Sequence, residues 1–437
     1  MIKFNFKVLL FFFIVITNSQ AQNKKILIKN VHIIPMDVDT ILKNYNVLIH
    51  KNRIEKIAPN SSLLKWKYDT LIKGTNKYLL PGFAEMHFHN QTDIKNEFKL
   101  LVANGITSAR NMAEDKKQDQ IKNKKLSEKL TIAPKYYTTG PYLQRKDLKT
   151  EEEVVSVVSY HKKRGYDYIK LADNLPKNIY LKLLREAQKN QLEVIGHGQR
   201  KMPLEYSLRM KSIAHIEEFM NIFSEKERES SVFLKKAAKQ IKTSGVYVSP
   251  TLGIFDMISN YADNDRHEEL LKKEELKYLP NYYKDYWVSD SVHYRKYEWF
   301  TSKKSLKRLA KELQWQQMFT KLLHNEGVPL LTSSDTYGLF LPGFSLHTEL
   351  EFINKSGLTT YETLKTATII PARYFNAVSE EGSVSEGKNA NLVLLEDNPL
   401  ENITNTRKIA GVFVKGNFLS KSKIDKVLRE VKNSCKQ

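Results

Sequence analysis

The sequence predicts an α/β protein, a (β/α)8 TIM-type barrel carrying a small composite β-sandwich made by the two ends of the chain. Three observations predict it. From residue 81 to about 380, apolar runs alternate with charged segments of helical period, the pattern of parallel strands joined by helices. Eight such runs can be counted, the number that closes a barrel of this type. Residues 22–80 and 381–437 instead carry short runs of β-formers bounded by Asn, Gly and Pro, so the two ends are read as halves of one β unit.

The elements follow in order. Residues 1–21 read as a secretory signal: Lys3 and Lys7, an apolar run from Val8 to Thr17, then Ser19-Gln20-Ala21 before a mature start at Gln22. That run falls well short of the roughly 20 residues needed to span a bilayer, so export with cleavage is expected, to the periplasm or the medium, with no stable membrane insertion afterwards. KKILIKNVHIIPM, YNVLIHKNRIEKIAP and YDTLIKGTNKYLLPGF supply the first sandwich strands. The barrel strands are expected to end near His87, Arg110, Gly140, Lys170, His197, His215, Pro250 and Asp335. Residues 253–327 are too long for a plain loop and are read as the seventh helix plus a helical insertion, either covering the barrel mouth or standing apart from it. Within it, LKRLAKELQWQQMFTKLLHNEG is a helix stopped at Gly327. β character returns in EGSVSEGKNANLVLLEDNP and RKIAGVFVKGNFL.

Composition narrows the function classes. The 437 residues carry a formal charge of +21, and the lysines are scattered. No nucleic-acid motif accompanies them, so no nucleic-acid partner is expected; a solvated basic shell accounts for the charge. The single cysteine, Cys435, excludes an intrachain disulfide. A homo-oligomer stays open.

The chemistry-bearing residues sit at the ends of those strands. His87 and His89 lie two apart on a strand and project to the same face. Alone, such a pair is more often structural than metal-binding. His197, His215 and Asp335 close three further apolar strands, and side chains at the C-terminal ends of barrel strands converge on one mouth. Lys170, in YDYIKLAD, is the least expected: a buried ammonium must be neutral, paired (for example with Asp173) or modified. A lysine carbamate would be an anion able to bridge two cations. Arg110 at the mouth is a candidate partner for a substrate carboxylate or for a neighbouring acid, and Tyr142 and His347 either face substrate or pack.

With LLPGFAEMHFH, GITSARNM, GYDYIKLAD, GHGQ, IAHIEEF and TSSD, continued by TYETLKTATIIPARYFN and EGSVSEGKNANLVLLEDNPLENI, the chain resembles the metal-dependent amidohydrolase superfamily over almost all of its mature length. The wording is most similar to the imidazolonepropionase-like and Xaa-Pro dipeptidase-like branch. The resemblance implies a barrel with a composite sandwich and two divalent metal ions, zinc being the best match. His87, His89 and Asp335 would hold one ion and His197 and His215 the other, with Lys170, carboxylated by CO2, and a hydroxide between them. It implies hydrolysis of a C–N bond in a small amide or peptide, such as a dipeptide or acyl amino acid, with Asp335 shuttling the proton. Two departures are Glu85, where the family has Asp, and Asn391, where it has Asp in the C-terminal motif. Lys170 and the absence of a Glu shortly after His197 favour hydrolysis over deamination. Two other readings stay open: a lactone, ester or phosphotriester hydrolase on the same site, and a metal-stabilised, non-catalytic binder of anionic partners.

Overall fold

The computed structural model describes residues 24–62, 65–114 and 118–436, so the expected signal segment lies outside the described residues. The fold is mixed α/β. The N-terminal part gives β1 (Ile26–Ile33), β2 (Leu42–His50), β3 (Arg53–Pro59), β4 (Thr70–Lys73) and β5 (Tyr78–Pro81). A two-residue turn, with Lys51 at φ 49° and Asn52 at φ 61°, reverses β2 into β3, the left-handed pair that matches the twist of a hairpin. Next come β6 (Phe83–Phe88), β7 (Ile106–Asn111), β8 (Lys135–Tyr137), β9 (Tyr168–Leu171), β10 (Glu193–Gly196), β11 (Ser212–Ala214) and β12 (Tyr247–Ser249). The chain ends with β13 (Leu392–Leu395), β14 (Ile409–Val414), β15 (Asn417–Ser420) and the helix Lys421–Ser434.

The two ends share one eight-stranded sheet, in the order β15-β14-β13-β5-β1-β2-β3, with β4 beside β1. Alternation along its strands explains why it has two buried faces. Leu79, Leu392, Leu394 and Phe413 join Ile28, Ile33 and Val47 in one core. Their neighbours Leu80, Val393, Leu395 and Val412 join Phe83, Phe98, Leu101 and Leu346 in another, which ties the sheet to the central part of the chain. Each such side chain taken fully out of water contributes about 1.5–3 kcal/mol.

The seven central strands are parallel to their neighbours, β6-β7-β8 in one sheet and β9-β10-β11-β12 in a second. Backbone bonds join the two. Tyr168 N–H donates to Thr138 O at 3.1 Å, and Leu143 pairs with Leu171 in a parallel bridge. The expected eighth strand, VPLLTSSD, is not a regular strand: only Leu330 forms a bridge, with Val248. Its hydrogen bonds are divided among three elements. Leu331 N–H donates to Val248 O, Thr332 N–H to Thr366 O, and Asp335 N–H to His87 O, while Met86 N–H donates to Thr332 O. Pro329 at its start has no N–H to offer. The segment therefore still connects β12 to β6, although it lacks a regular ladder.

Most of residues 253–327 is helical. The helices Leu252–Ala262, Asn264–Leu271, Asn281–Trp287 and Lys303–Asn325 are joined by turns and shorter helical pieces, and the last is capped by Ser302 and followed by Gly327 at φ 82°. Trp287, Tyr261, Leu276 and Leu279 form a core with Leu339, Phe340 and Leu341, fixing the insertion to the chain just beyond Asp335. No helix among the described residues is long and apolar enough to cross a membrane.

Candidate metal centre

The exits of β6, β9, β10 and β11 and the 330–335 segment bring six predicted residues to one end of the parallel strands. Glu85, fully buried on β6, accepts from His87 N–H and Ser334 N–H at 2.9 Å each, and from the Ser334 hydroxyl. Thr336 Oγ1 accepts from His89 N–H at 2.8 Å and donates to His89 O at 2.9 Å. Those five bonds set Asp335 against the two histidines. His87 Nε2 and His89 Nε2 are 3.1 Å apart, and Asp335 Oδ1 lies 3.3 Å from the first and 3.0 Å from the second.

That spacing fits a metal ion. Ligand atoms held tetrahedrally at zinc's usual bond length of roughly 2.0–2.1 Å stand about 3.3 Å from one another. Burial supports the same reading: it holds His87 well below the usual imidazole range despite Asp335, and brings His215 down to about 3. Imidazoles that stay neutral are the form that binds metal. Burial alone would raise the Asp335 carboxyl, but His87, His89 and His215 hold it well below the usual carboxylate range.

His215 and His197 lie beside this group, with ring centroids 4.9 Å (His87 to His215) and 4.8 Å (His197 to His215) apart. In each, Nδ1 is engaged and Nε2 is left for a ligand. His215 Nδ1 bonds Thr251 Oγ1 at 2.8 Å, and His197 Nδ1 bonds Glu218 Oε1 at 2.7 Å. Glu218 also takes both arms of Arg200, at 2.8 and 2.6 Å. Burial would raise this carboxyl, yet the bonds from Arg200 and His197 bring it down to about 2. Three residues here take the left-handed backbone: His215, Thr251 and Asp335 are at φ 69°, 55° and 54°, unusual for side chains with a Cβ. Gly196 is needed for another reason. At φ 125°, a Cβ there would meet Leu171 O at 2.1 Å, and the close approach lets His197 N–H donate to Leu171 O at 2.8 Å.

Lys170 is 2% exposed. Burial lowers its ammonium to about 8, with Arg110 adding to the effect and Asp335 and Glu218 opposing it. No ion pair joins it to Asp173, whose carboxylate instead accepts backbone N–H groups of Arg145 and Asn174.

A cavity of about 510 Å³ opens over these residues, lined by His89, His197, His215 and Asp335 among others. Tyr142 lines it as well. Arg110 and His347 do not. Arg110 is fully buried behind the site, donating from Nε to Met86 O at 2.9 Å, with its guanidinium 4.8 Å from the Tyr374 ring centre. His347, also buried, bonds Thr406 Oγ1 at 3.0 Å and sets its ring edge-on to Phe83. The insertion contributes Ile254, Phe255, Ile258, Tyr294 and Gln316 to the cavity wall. Sequence reasoning missed the orienting residues Glu218, Thr251 and Thr336. The available signal was IAHIEEF, where an acid follows His215 by three residues.

The amidohydrolase family model matches residues 78–419, most of the chain. The chain belongs to the amidohydrolase family. It is therefore a hydrolase acting on C–N bonds, in a family that binds metal. No curated protein matches it in sequence. Among solved structures, a bottromycin amidohydrolase superposes with a TM-score of 0.74 at 17% identity, covering 94% of this chain and 90% of that one. A Xaa-Pro dipeptidase with methionine bound in its active site gives 0.65 at 15% identity, over 91% and 100%. Ochratoxinase from A. niger gives 0.65 at 16%, over 91% and 96%. At these identities the likeness is one of fold, and this amidohydrolase's own site must argue its chemistry.

Proposed function

We propose that the chain hydrolyses an amide or peptide bond in a small substrate, such as a dipeptide or acyl amino acid, at a centre for two divalent metal ions. His87, His89 and Asp335 would hold one and His197 and His215 the other, with Lys170, carboxylated by CO2, between them. The observation that carries the proposal is the mutual spacing of His87 Nε2, His89 Nε2 and Asp335 Oδ1, 3.0 to 3.3 Å. Zinc suits this imidazole and carboxylate set. Lys170 is poised for carboxylation because burial leaves part of it as the free amine near neutral pH. The amine nitrogen would form an N–C bond to CO2 as one C=O π bond opens, giving up a proton to water to leave the carbamate anion. When bound, the ions supply an activated water and polarise the scissile carbonyl.

The chain's own residues do the rest. Glu218 and Thr251 fix which nitrogen of His197 and His215 faces the centre. Asp335 accepts the proton of the attacking water on a carboxylate oxygen as the C–O bond forms, then donates it to the leaving nitrogen as the C–N bond breaks. Tyr142 and the wall of the insertion confine the substrate.

The same reading includes a closed (β/α)8 barrel over 81–380, supported by backbone bonds running from β6 to β12 and back through residues 330–335. It also includes a sandwich from 22–80 and 381–437, supported by the core those segments share, and export directed by 1–21. The test is turnover of a dipeptide and acyl-amino-acid panel by metal-free and zinc-reloaded protein. Zinc-dependent release of amine supports the proposal. Hydrolysis of lactones or phosphotriesters alone would redirect it, and amide turnover unchanged by chelation would overturn the metal centre.

A further inference from the structure

The cavity over the site is lined unlike the rest of the protein. The chain carries 70 lysines and arginines against 49 acids, yet among the described residues no lysine or arginine lines this cavity. Arg110, one candidate partner for a substrate carboxylate, is turned away from the cavity to Met86 O and the Tyr374 ring. In the cavity wall stands an acid beyond the proposed metal ligands, Glu217. It begins the short helix Glu217–Ile222 that follows His215, and consecutive helical residues point about 100° apart. Glu218 turns to His197 and Arg200, so Glu217 faces elsewhere, into the cavity. Among the described residues its carboxylate has neither an ion pair nor a hydrogen bond, whereas Glu218 has three.

Gln316, Phe255, Tyr294 and Tyr337 line the same cavity, and the faces of aromatic rings attract cations.

We infer that the substrate of this site carries a cationic group, an ammonium or a guanidinium, which Glu217 receives beside the aromatic wall. This rests on the hydrolase reading above and adds the substrate class to it. The group is an N–H donor set with a positive charge, so it pairs with the Glu217 carboxylate while its methylenes lie against the rings.

The experiment measures binding by calorimetry to metal-free protein, for three matched pairs: Nα-acetyl-argininamide and Nα-acetyl-citrullinamide, Nα-acetyl-lysinamide and Nα-acetyl-norleucinamide, alaninamide and Nα-acetyl-alaninamide. The pairs separate a side-chain cation from an α-ammonium. For at least one pair the cationic member is expected to bind about 10- to 100-fold more tightly, as one charge-assisted contact supplies. Glu217→Gln should remove that gap while leaving the neutral member's affinity unchanged, which also reports that the variant is folded. Equal affinities within all three pairs, or a gap that persists in Glu217→Gln, would overturn the inference. Turnover of the same amides by zinc-loaded protein tests the other reading separately: a binding gap without cleavage of any amide counts against hydrolysis and leaves the cation site standing.

Discussion

Replacing Glu218 by Gln tests whether the site depends on how its histidines are held. The carboxylate is fully buried and takes three charge-assisted bonds, one from His197 at 2.7 Å and two from Arg200 at 2.6 and 2.8 Å. A carboxamide keeps one oxygen and turns an NH2 toward the remaining donors. If the oxygen stays at the Oε1 position, only the Arg200 Nε bond is lost; if it takes the Oε2 position, the bonds from His197 and Arg200 Nη2 are both lost. Each such bond contributes about 1.5–3 kcal/mol. The full cost of breaking a buried pair, about 3–5 kcal/mol, is not expected, because the Arg200 side chain is 37% exposed and can turn to water. The variant should lose about 2 kcal/mol in urea unfolding of the metal-free protein. Its affinity for zinc should fall about 10- to 100-fold, the usual effect of removing a group that orients a ligating histidine. The assay is competition for zinc against a chelator of known affinity, beside the unfolding curve. A variant that loses stability but binds zinc within twofold of the unaltered protein would refute the reasoning, leaving Glu218 as a partner of Arg200 alone.

Four further outcomes follow from the same geometry. Lys170→Ala should remove most amide turnover and lower metal occupancy, read by elemental analysis; full activity with both ions bound would exclude the carbamate bridge. Gly196→Ala forces a Cβ to within 2.1 Å of Leu171 O at φ 125°, and should cost on the order of 3 kcal/mol or more in thermal unfolding. Burial pushes Glu97 up to about 7 and Glu349 up to about 8. The folded protein keeps those protons where the unfolded chain has released them, so each group's stabilising contribution is complete below about pH 4.5 and is lost as pH rises through 7 to 8. Glu349→Gln should flatten urea stability over that window by about 1.4 kcal/mol per pH unit, and an unchanged slope would contradict it. Tyr142→Phe leaves the ring but removes the hydroxyl at the cavity wall; it should raise KM for the best amide severalfold with metal content unchanged.

The parallel strands and their ends were legible because strand chemistry is local. His87 and His89 sit two apart on an apolar run, and Lys170, His197 and His215 lie at or just past the ends of β9, β10 and β11, where the alternation to helix is plain. The pairing of the chain ends was legible for a similar reason, since β13 and β14 read as buried strands that needed a partner sheet, which β5 provides. What failed depended on distance. VPLLTSSD has strand composition, but its bonds go to β12, to Thr366 and to β6 instead of to one neighbour. Arg110 ends an apolar strand as a mouth residue would, yet Met86 O and the Tyr374 ring draw it inward. His347 has Thr406 and Phe83 as partners, one of them some sixty positions away along the chain and the other more than two hundred and fifty. Glu217 and Glu218 are identical in the sequence, and only the turn at His215 gives one to His197 and the other to the cavity.

The most direct test of the account is the number of divalent metal ions per chain, by elemental analysis of protein grown with zinc and bicarbonate, before and after Asp335→Ala. The account predicts about two ions in the unaltered chain and a clear loss in the variant, because Asp335 Oδ1 stands within 3.3 Å of both His87 Nε2 and His89 Nε2. A protein that binds no ion under these conditions, or one whose content is unmoved by that substitution, would contradict it.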